Sequence, residues 1–472
     1  MLRRKVLCLL FLALVALPAL AAEKEKPLPK DLPPYGELKP FTAPQVTVRK
    51  LGNGLTLWLV PRPGFPKVAL ALAVQGGMVA DPADRPGLAD FLTETVDQGT
   101  ASRTARQIAE ELQAVGGDLE ATARADSLAL TVSVLSSGLG SGLSVLADVA
   151  QHASFPESEV ELARRNLADS LRAQEAQPRF QAARALARLA FGPHPYSIIA
   201  PTQESIAATT VAELRREFAR RFRSDGAVLV AVGDFDVDKI AALAETHFGK
   251  WRAPASAPVS AVTEPAAGRY RAVFAVAREG SVQTTISLGA LAPRRSNAEY
   301  AAARVANAIY GGTFTSRLVS NIREEKGYTY SPGSSIQART AAGLLRTIAD
   351  VRNQVTGAAL NEIGYELNRM ATTAPTAEEL LRAQRYLVGS AAISLQSRGA
   401  VARELALIWV DGLPPGHIGS ENAAIQQVTA EDVSAAGRKY FPLSRMAIVA
   451  VGDEKVIGSE LEPLGLEIQP AP

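Results

Sequence analysis

The sequence predicts an α+β fold made of two duplicated halves, each a sandwich of helices and strands. The main observation is a repeat: residues 227–234 read AVLVAVGD, and residues 446–453 read MAIVAVGD. Upstream of this segment the same spacing pairs Thr210 with Thr429 without a gap. A constant register over roughly thirty residues indicates duplication of a whole domain and not a solenoid of short repeats.

The second observation is that strands and helices are mixed in each half. Apolar or alternating runs of strand length predict the strands, and apolar residues at helical spacing predict the helices. The predicted strands lie at 68–74, 127–135, 227–232 and 284–288, and the helical segments at 104–115, 156–172, 301–309 and 376–410. The second half repeats the order of the first.

The domain boundaries follow from composition. A basic start (residues 1–5), an apolar run (6–17) and small residues (18–21) are typical of a secretory signal peptide, too short for a membrane helix. Cys8 is the only cysteine and would be removed with it, so we expect a periplasmic mature chain without disulfides or thiolate sites. The predicted organisation is a signal peptide at 1–22, a Pro-rich leader at 23–45, a first domain at 46–252, a linker at 253–268 and a second domain at 269–466.

The balance of basic and acidic residues bears on whether the chain binds a highly charged partner. Lys and Arg number 50 and Asp and Glu 48, and no block of one sign occurs. This pattern gives no support for binding to nucleic acid or to an acidic membrane surface. No segment after the signal peptide reaches the length of a membrane helix.

Short motifs in a fixed order connect the chain to a known family. They are LGNGL at 51–55, GLADFLTE at 87–94, GPHPY at 192–196, GG at 311–312, SRL at 316–318 and IREEKGYTY at 322–330. In this order they resemble the inverzincin zinc metallopeptidases, which include pitrilysin, insulin-degrading enzyme and mitochondrial processing peptidase. The resemblance covers roughly residues 46–464 and implies the processing-peptidase-like metallohydrolase fold, with the halves forming a clamshell.

The family's zinc motif is degenerate in this sequence. Active members carry H-x-x-E-H on a helix, where the two histidines bind zinc and the glutamate is the general base. By the resemblance, Asp90 and Glu94 take the histidine positions and Thr93 takes the position of the base. The third ligand, a glutamate eight residues before a proline, corresponds to Ser170, counting back from Pro178. We therefore expect that this chain binds no metal and that zinc is bound by a partner subunit.

Other metal sites have little support. The remaining histidines, none at the spacing of a ligand pair, are His152, His194, His247 and His417. Asp90 and Glu94 share a helix face and could attract a hard cation, but zinc prefers nitrogen and sulfur ligands. We expect instead that this helix face is solvated or that its carboxylates form ion pairs. His194 is expected to be a turn residue that is hydrogen-bonded to backbone.

The second half contains a pair with a catalytic counterpart in the family. Arg323 and Tyr330 are seven residues apart, and Gly327 predicts that the helix ends between them. The resemblance implies that Arg323 holds a substrate carbonyl and that Tyr330 stabilises the oxyanion of the tetrahedral intermediate.

Two hypotheses follow for function. In the first, the chain is the non-zinc-binding subunit of a heterodimeric periplasmic zinc metallopeptidase, with a homologous H-x-x-E-H partner and an unfolded peptide as substrate. In the second, it is a catalytically inert scaffold or peptide-binding protein of the same fold. The sequence leaves open whether the partner is a sister chain or a second copy, and which peptides are cleaved.

Overall fold

The computed structural model describes residues 42–255, 262–268, 270 and 272–472. The predicted signal peptide, the leader up to residue 41 and the middle of the predicted linker lie outside the described residues. Within the described part of the chain, no helix has the length and apolar character needed to cross a bilayer.

The described chain contains strands and helices in both halves. The strands are β1 (Thr47–Lys50), β2 (Thr56–Pro61), β3 (Lys67–Gln75), β4 (Asp118–Ala123), β5 (Ser127–Leu135), β6 (Ala227–Gly233), β7 (Ala272–Ala277), β8 (Gln283–Ala292), β9 (Gly333–Gln337), β10 (Gly343–Arg352), β11 (Ala447–Gly452) and β12 (Glu467–Pro470). The helices are α1 (Leu88–Thr95), α2 (Ala105–Gln113), α3 (Leu139–His152), α4 (Glu157–Glu175), α5 (Pro178–Phe191), α6 (Gln203–Ala208), α7 (Val211–Arg221), α8 (Val237–Phe248), α9 (Tyr300–Asn307), α10 (Arg317–Val319), α11 (Thr356–Thr372), α12 (Ala377–Ser394), α13 (Arg398–Val410), α14 (His417–Gln427), α15 (Ala430–Tyr440) and α16 (Glu454–Leu461). Two π-helical segments, Ala308–Gly312 and Ser320–Glu325, flank α10.

The strands form two six-stranded sheets whose topologies match over five strands and differ at one edge, where β1 is antiparallel to β2 and β12 is parallel to β7. Their orders are β1-β2-β6-β3-β5-β4 and β12-β7-β11-β8-β10-β9. In each sheet one central strand, β6 or β11, pairs in parallel with one neighbour and antiparallel with the other. The predicted α+β fold with two duplicated halves is therefore confirmed.

The register of the repeat continues into the helix that precedes each central strand. Thr210 caps α7 in a reciprocal capping box with Glu213, and Thr429 caps α15 in the same way with Asp432. A capping box satisfies two backbone donors that the first helical turn leaves unpaired. The two threonines that align in the sequence thus start equivalent helices.

One face of each sheet packs on helices of its own half. Alternate residues of a strand point to opposite faces, so that Leu57, Leu70 and Leu229 of the first sheet share one buried core. Leu288 of β8 and Leu345 of β10 lie in the corresponding core of the second half.

The other face of each sheet is covered by a helix from the opposite half. Leu405 of α13 is buried in one cluster with Trp58 and Val230 of the first sheet. Leu186 of α5 is buried with Val449 of the second sheet. We call this arrangement the helix exchange. Because burying apolar surface is the dominant favourable term in folding, the helix exchange ties the two halves into one unit.

Candidate functional site

The helix that would carry the zinc motif is fixed at its start by a buried ion pair. The backbone N–H groups of Gly87 and Ala89 donate to the carboxylate of Asp81, at 2.8 and 3.1 Å. That carboxylate also accepts from the fully buried guanidinium of Arg221, at 2.6 Å. Gly87 has φ of +94°, which favours glycine, and a Cβ there would lie 2.3 Å from Cβ of Pro201. The frame of the zinc helix is therefore intact.

The four degenerate positions of the zinc motif lie on α1 and α4, two helices that pack together. Asp90 is partly buried, whereas Glu94 and Ser170 are exposed. The Thr93 hydroxyl donates to the carbonyl oxygen of Asp90 at 3.0 Å, and the Ser170 hydroxyl accepts from Gln174 at 3.2 Å. Among the described residues, no group of three or more His, Cys, Asp or Glu side chains is placed to hold a metal ion.

Asp90 has an unfavourable environment for a carboxylate. Burial, and then the negative charges of Asp81 and Glu94, raise the pKa of Asp90 to about 6, with Arg221 opposing them. Within the described part of the chain, neither Asp90 nor Glu94 has a salt-bridge partner within 4.0 Å. The face is thus solvated at Glu94, while Asp90 is partly buried without an ion pair.

His194 is a turn residue, as expected. Its Nδ1 accepts from the backbone N–H of Tyr196 at 3.1 Å, so the ring proton is on Nε2. Nε2 then donates to the carbonyl oxygen of Thr263 at 2.8 Å. Both ring nitrogens are used, and His194 has none left for a metal.

Arg323 is half-buried and lies in the second π-helical segment, Ser320–Glu325. The segment ends before Gly327, which has φ of +62°, where the sequence predicted the end of the helix. π-helical turns are rare and are frequent at functional sites. The chain then reverses and presents Tyr330, whose side chain is 81% exposed.

The structure brings Arg323 and Tyr330 together and adds a third residue, Phe314. The Arg323 guanidinium carbon is 4.6 Å from the centroid of the Tyr330 ring and 4.6 Å from that of the Phe314 ring. We call these three side chains the arginine sandwich. Both rings lie against the guanidinium, and Nε on its N–H edge is 3.1 Å from a carboxylate oxygen of Glu324. That edge can bind a carbonyl or carboxylate oxygen.

Phe314 was missed by the sequence reasoning. It is 64% exposed and nine residues before Arg323, a spacing that belongs to no regular helix or strand pattern. The only available signal was a single aromatic residue in a run of Gly, Thr and Ser at 311–316. Its role depends on the π-helical segment, which periodicity does not predict.

Within the described residues, the arginine sandwich has no polar or ring interaction with the degenerate zinc positions. No hydrogen bond, salt bridge or ring stacking joins Arg323 or Tyr330 to any of those four side chains. The hydroxyl of Tyr330 has no hydrogen-bond partner in the described chain. The loop after it is anchored to the first half, because Arg179 of α5 donates to the Ser331 hydroxyl at 3.3 Å.

Comparison with known proteins places the chain in a family. The model of the insulinase peptidase family M16 matches residues 59–202, and the model of the peptidase M16 inactive domain matches residues 208–387. The chain belongs to the M16 peptidase family. The first match contains the four degenerate positions, and the second contains the arginine sandwich. The predicted inverzincin resemblance is thus confirmed, for an M16 member with no H-x-x-E-H motif at the family's zinc helix.

Two uncharacterized zinc proteases resemble this chain over most of its length. An uncharacterized zinc protease of Mycobacterium tuberculosis is 26% identical over 392 residues, which are 82% of this chain and 89% of that protein. One of Mycobacterium leprae is 29% identical over 304 residues, 63% of this chain and 67% of that protein.

Two solved structures share the fold. A peptidase M16 inactive domain from Pseudomonas fluorescens has a TM-score of 0.81 at 25% identity and covers 86% of this chain and 98% of its own. A protease from Helicobacter pylori has a TM-score of 0.81 at 18% identity and covers 87% of this chain and 100% of its own.

Proposed function

We propose that this M16 chain is the non-zinc-binding subunit of a heterodimeric zinc metallopeptidase of the periplasm. The observation that carries the proposal is the arginine sandwich on a chain whose zinc-helix positions are Asp90, Thr93 and Glu94. A guanidinium edge and a free phenol hydroxyl are suited to a developing oxyanion, but they supply neither metal nor base. The missing groups would come from a partner with an intact H-x-x-E-H helix.

The chemistry divides between the two chains. The zinc of the partner would polarise the scissile carbonyl and activate water. On this chain, the N–H edge of Arg323 would hold a substrate carbonyl, and the Tyr330 hydroxyl would donate to the oxyanion as it forms. The high exposure of Tyr330 supports this role, because the hydroxyl is accessible to a ligand brought by another chain.

The proposed substrate is an unfolded peptide. Because the helix exchange joins the two halves of one chain, we place the closing cavity between the two chains and not between the halves. An extended peptide can add to the edge of a sheet through main-chain hydrogen bonds, which favours extended conformation over any one side chain. The periplasmic location rests on the signal-peptide pattern at 1–22.

Co-expression with a homologue that carries H-x-x-E-H, encoded in the same genome, tests the proposal. We expect an equimolar complex in size-exclusion chromatography, one zinc per complex by elemental analysis, and chelator-sensitive cleavage of an unfolded peptide. The chain purified alone is the control, and it should hold no stoichiometric zinc and cleave nothing.

Two results would contradict the proposal. One tightly held zinc in the chain alone, with peptidase activity, would place the chemistry on this subunit. Separate elution of the two chains at micromolar concentration, with unchanged activity of the homologue, would favour the inert scaffold.

A further inference from the structure

A cavity of about 240 Å³ lies on the seam between the two halves. The first half contributes apolar wall residues, among them Val79, Leu186 and Ile198, and the second half contributes Leu344. Two guanidinium groups, those of Arg339 and Arg346, also line the cavity. An apolar pocket with a few polar groups is the usual form of a small-molecule site.

Arg346 lines this cavity without a carboxylate partner of its own. Its Nε donates to the hydroxyl of Ser287 at 3.3 Å, and no described residue accepts a hydrogen bond from its two Nη atoms. Asp350, on the same face of β10, is already occupied: it accepts from Nε of Arg179 and from the Thr285 hydroxyl, both at 2.6 Å. Burial, and then the charge of Arg179, lower the pKa of Arg346, and the charge of Asp350 opposes them.

Arg339, the other arginine of the cavity, has ring and backbone partners. Its guanidinium lies beside the rings of Phe191 and Tyr196, at 4.6 and 4.7 Å from their centroids, and donates to the Tyr196 carbonyl oxygen at 3.0 Å. Asp126 is the nearby negative charge, and it accepts from the Tyr196 hydroxyl and from the backbone N–H of Thr340. Arg346 is therefore the arginine of the cavity whose two Nη atoms both lack an acceptor among the described residues.

We propose that this cavity binds a carboxylate that carries a short aliphatic chain, with the carboxylate on the Nη atoms of Arg346. A guanidinium matches a carboxylate in a two-pronged hydrogen bond, and the apolar wall accepts the chain. Phosphate would find one unpaired arginine and apolar walls, too few donors for its oxygens. The inference does not depend on the proposed peptidase function.

Both the C-terminal residue of a peptide and a free short-chain fatty acid have this chemistry. The volume suits one of them at a time, since it lies below the roughly 300–1,000 Å³ of drug-sized sites. Isothermal titration of the full mature chain with three compounds separates the sources: N-acetylleucine, N-acetylleucinamide and hexanoate. We expect N-acetylleucine to bind in the millimolar range or tighter and the neutral amide to bind at least about tenfold more weakly.

The relative affinity of hexanoate then identifies the source. Hexanoate binding as tightly as N-acetylleucine supports the site as one for any short-chain carboxylate. N-acetylleucine binding alone supports it as a site for a peptide terminus. The proposal is overturned if neither carboxylate binds at about 10 mM, a level at which a millimolar site would be mostly filled, or if the amide binds equally well.

Variants of Arg346 test which side chain holds the carboxylate. Arg346→Met keeps an unbranched apolar stem and removes the charge, and we expect it to lower the affinity for N-acetylleucine about tenfold or more. Arg346→Lys should restore part of the affinity. The matched control is Arg352→Met, an exposed arginine on the same face of β10 that does not line the cavity. An affinity of Arg346→Met within about twofold of the wild type would overturn the assignment.

Discussion

The zinc-helix face of the first half and the arginine sandwich of the second half differ in how their side chains are held. On α1, Asp90 is partly buried beside other carboxylates, without a salt-bridge partner in the described chain. In the second half, two rings lie against the guanidinium of Arg323, although the rings themselves are exposed. The zinc helix is therefore held firmly at its start but has no ordered set of interacting side chains on this face. The arginine sandwich, in contrast, is an ordered group of side chains at the surface.

The two sites differ in what their side chains contribute to the stability of the fold and to the binding of a ligand. An exposed aromatic ring gains little from burial, and ordering an arginine side chain costs entropy. The arginine sandwich thus contributes little to stability and leaves a defined N–H edge for a ligand. Asp90 has the opposite character, because burial and the neighbouring carboxylates disfavour its charged form near neutral pH. Changes at the two places should accordingly affect different measurements.

The largest expected effect is that of Tyr330→Phe in the complex with the zinc-bearing partner. The change removes only a hydroxyl, and if that hydroxyl donates to the oxyanion, kcat should fall about a hundredfold or more with little change in KM. Steady-state kinetics on an unfolded peptide measure this. Tyr365→Phe, at another exposed tyrosine, is the matched control and should leave kcat unaltered. A kcat of Tyr330→Phe within about twofold would make Tyr330 a packing residue and favour the scaffold.

Asp90→Asn should stabilise the isolated chain at neutral pH. The folded pKa, about 6, lies above the ordinary value of 3.8, so the folded state holds the proton more tightly between these pH values. Stability is therefore lost as the pH rises through this window, and asparagine removes that loss. Allowing for the helix N-terminus, which favours a negative charge, we expect a gain of about 1–2 kcal/mol at pH 7.5.

Urea unfolding at pH 7.5 and 4.5 measures this gain, which should shrink at the lower pH. Glu204→Gln, at an exposed carboxylate in the first turn of α6, is the control and should change the free energy of unfolding by less than about 0.5 kcal/mol. Equal destabilisation by Asp90→Asn at both pH values would show that the carboxylate has a favourable partner.

The smallest expected effect is that of Phe314→Ala on the complex. Removing one ring loosens Arg323, and a cation–π contact at an exposed site contributes about 0.5–1 kcal/mol, so kcat/KM should fall about two- to fivefold. Phe314→Tyr, which keeps the ring, should restore the wild-type value. The matched control is Phe65→Ala, because Phe65 is also exposed and stacks with Arg398, at 5.4 Å. Equal loss in both alanine variants would mean that Phe314 does not position Arg323.

The duplicated fold could be predicted because its evidence is local. Strand length, helical spacing and the capping threonines are visible in short windows of sequence, and the strand predicted at 127–135 is β5, Ser127–Leu135. The helix exchange could not be predicted, since α5 and α13 have ordinary helical patterns that do not say which sheet they cover. A pattern shows that a face is buried, but it does not identify the surface that buries it.

The candidate site was predicted only in part for the same reason. The resemblance selected Arg323 and Tyr330 by their place in a motif. Phe314 reaches Arg323 through a turn that follows no simple period. The cavity between the two halves could not be predicted either, because in the sequence Arg346 is a single charged residue within a strand. What makes it notable is that Asp350 is occupied by Arg179, from the other half of the chain.

The helix exchange also sets an order of events for the newly made chain. The first sheet leaves the ribosome with one apolar face bare, including Trp58 and Val230, and its cover, α13, is synthesised only after most of the second half. Contacts so distant in sequence carry a loop-closure cost before any burial offsets it, which makes folding slow. During that interval the bare face is a surface on which chains can aggregate or a chaperone can bind. Neither half should therefore reach its native state when it is produced without the other.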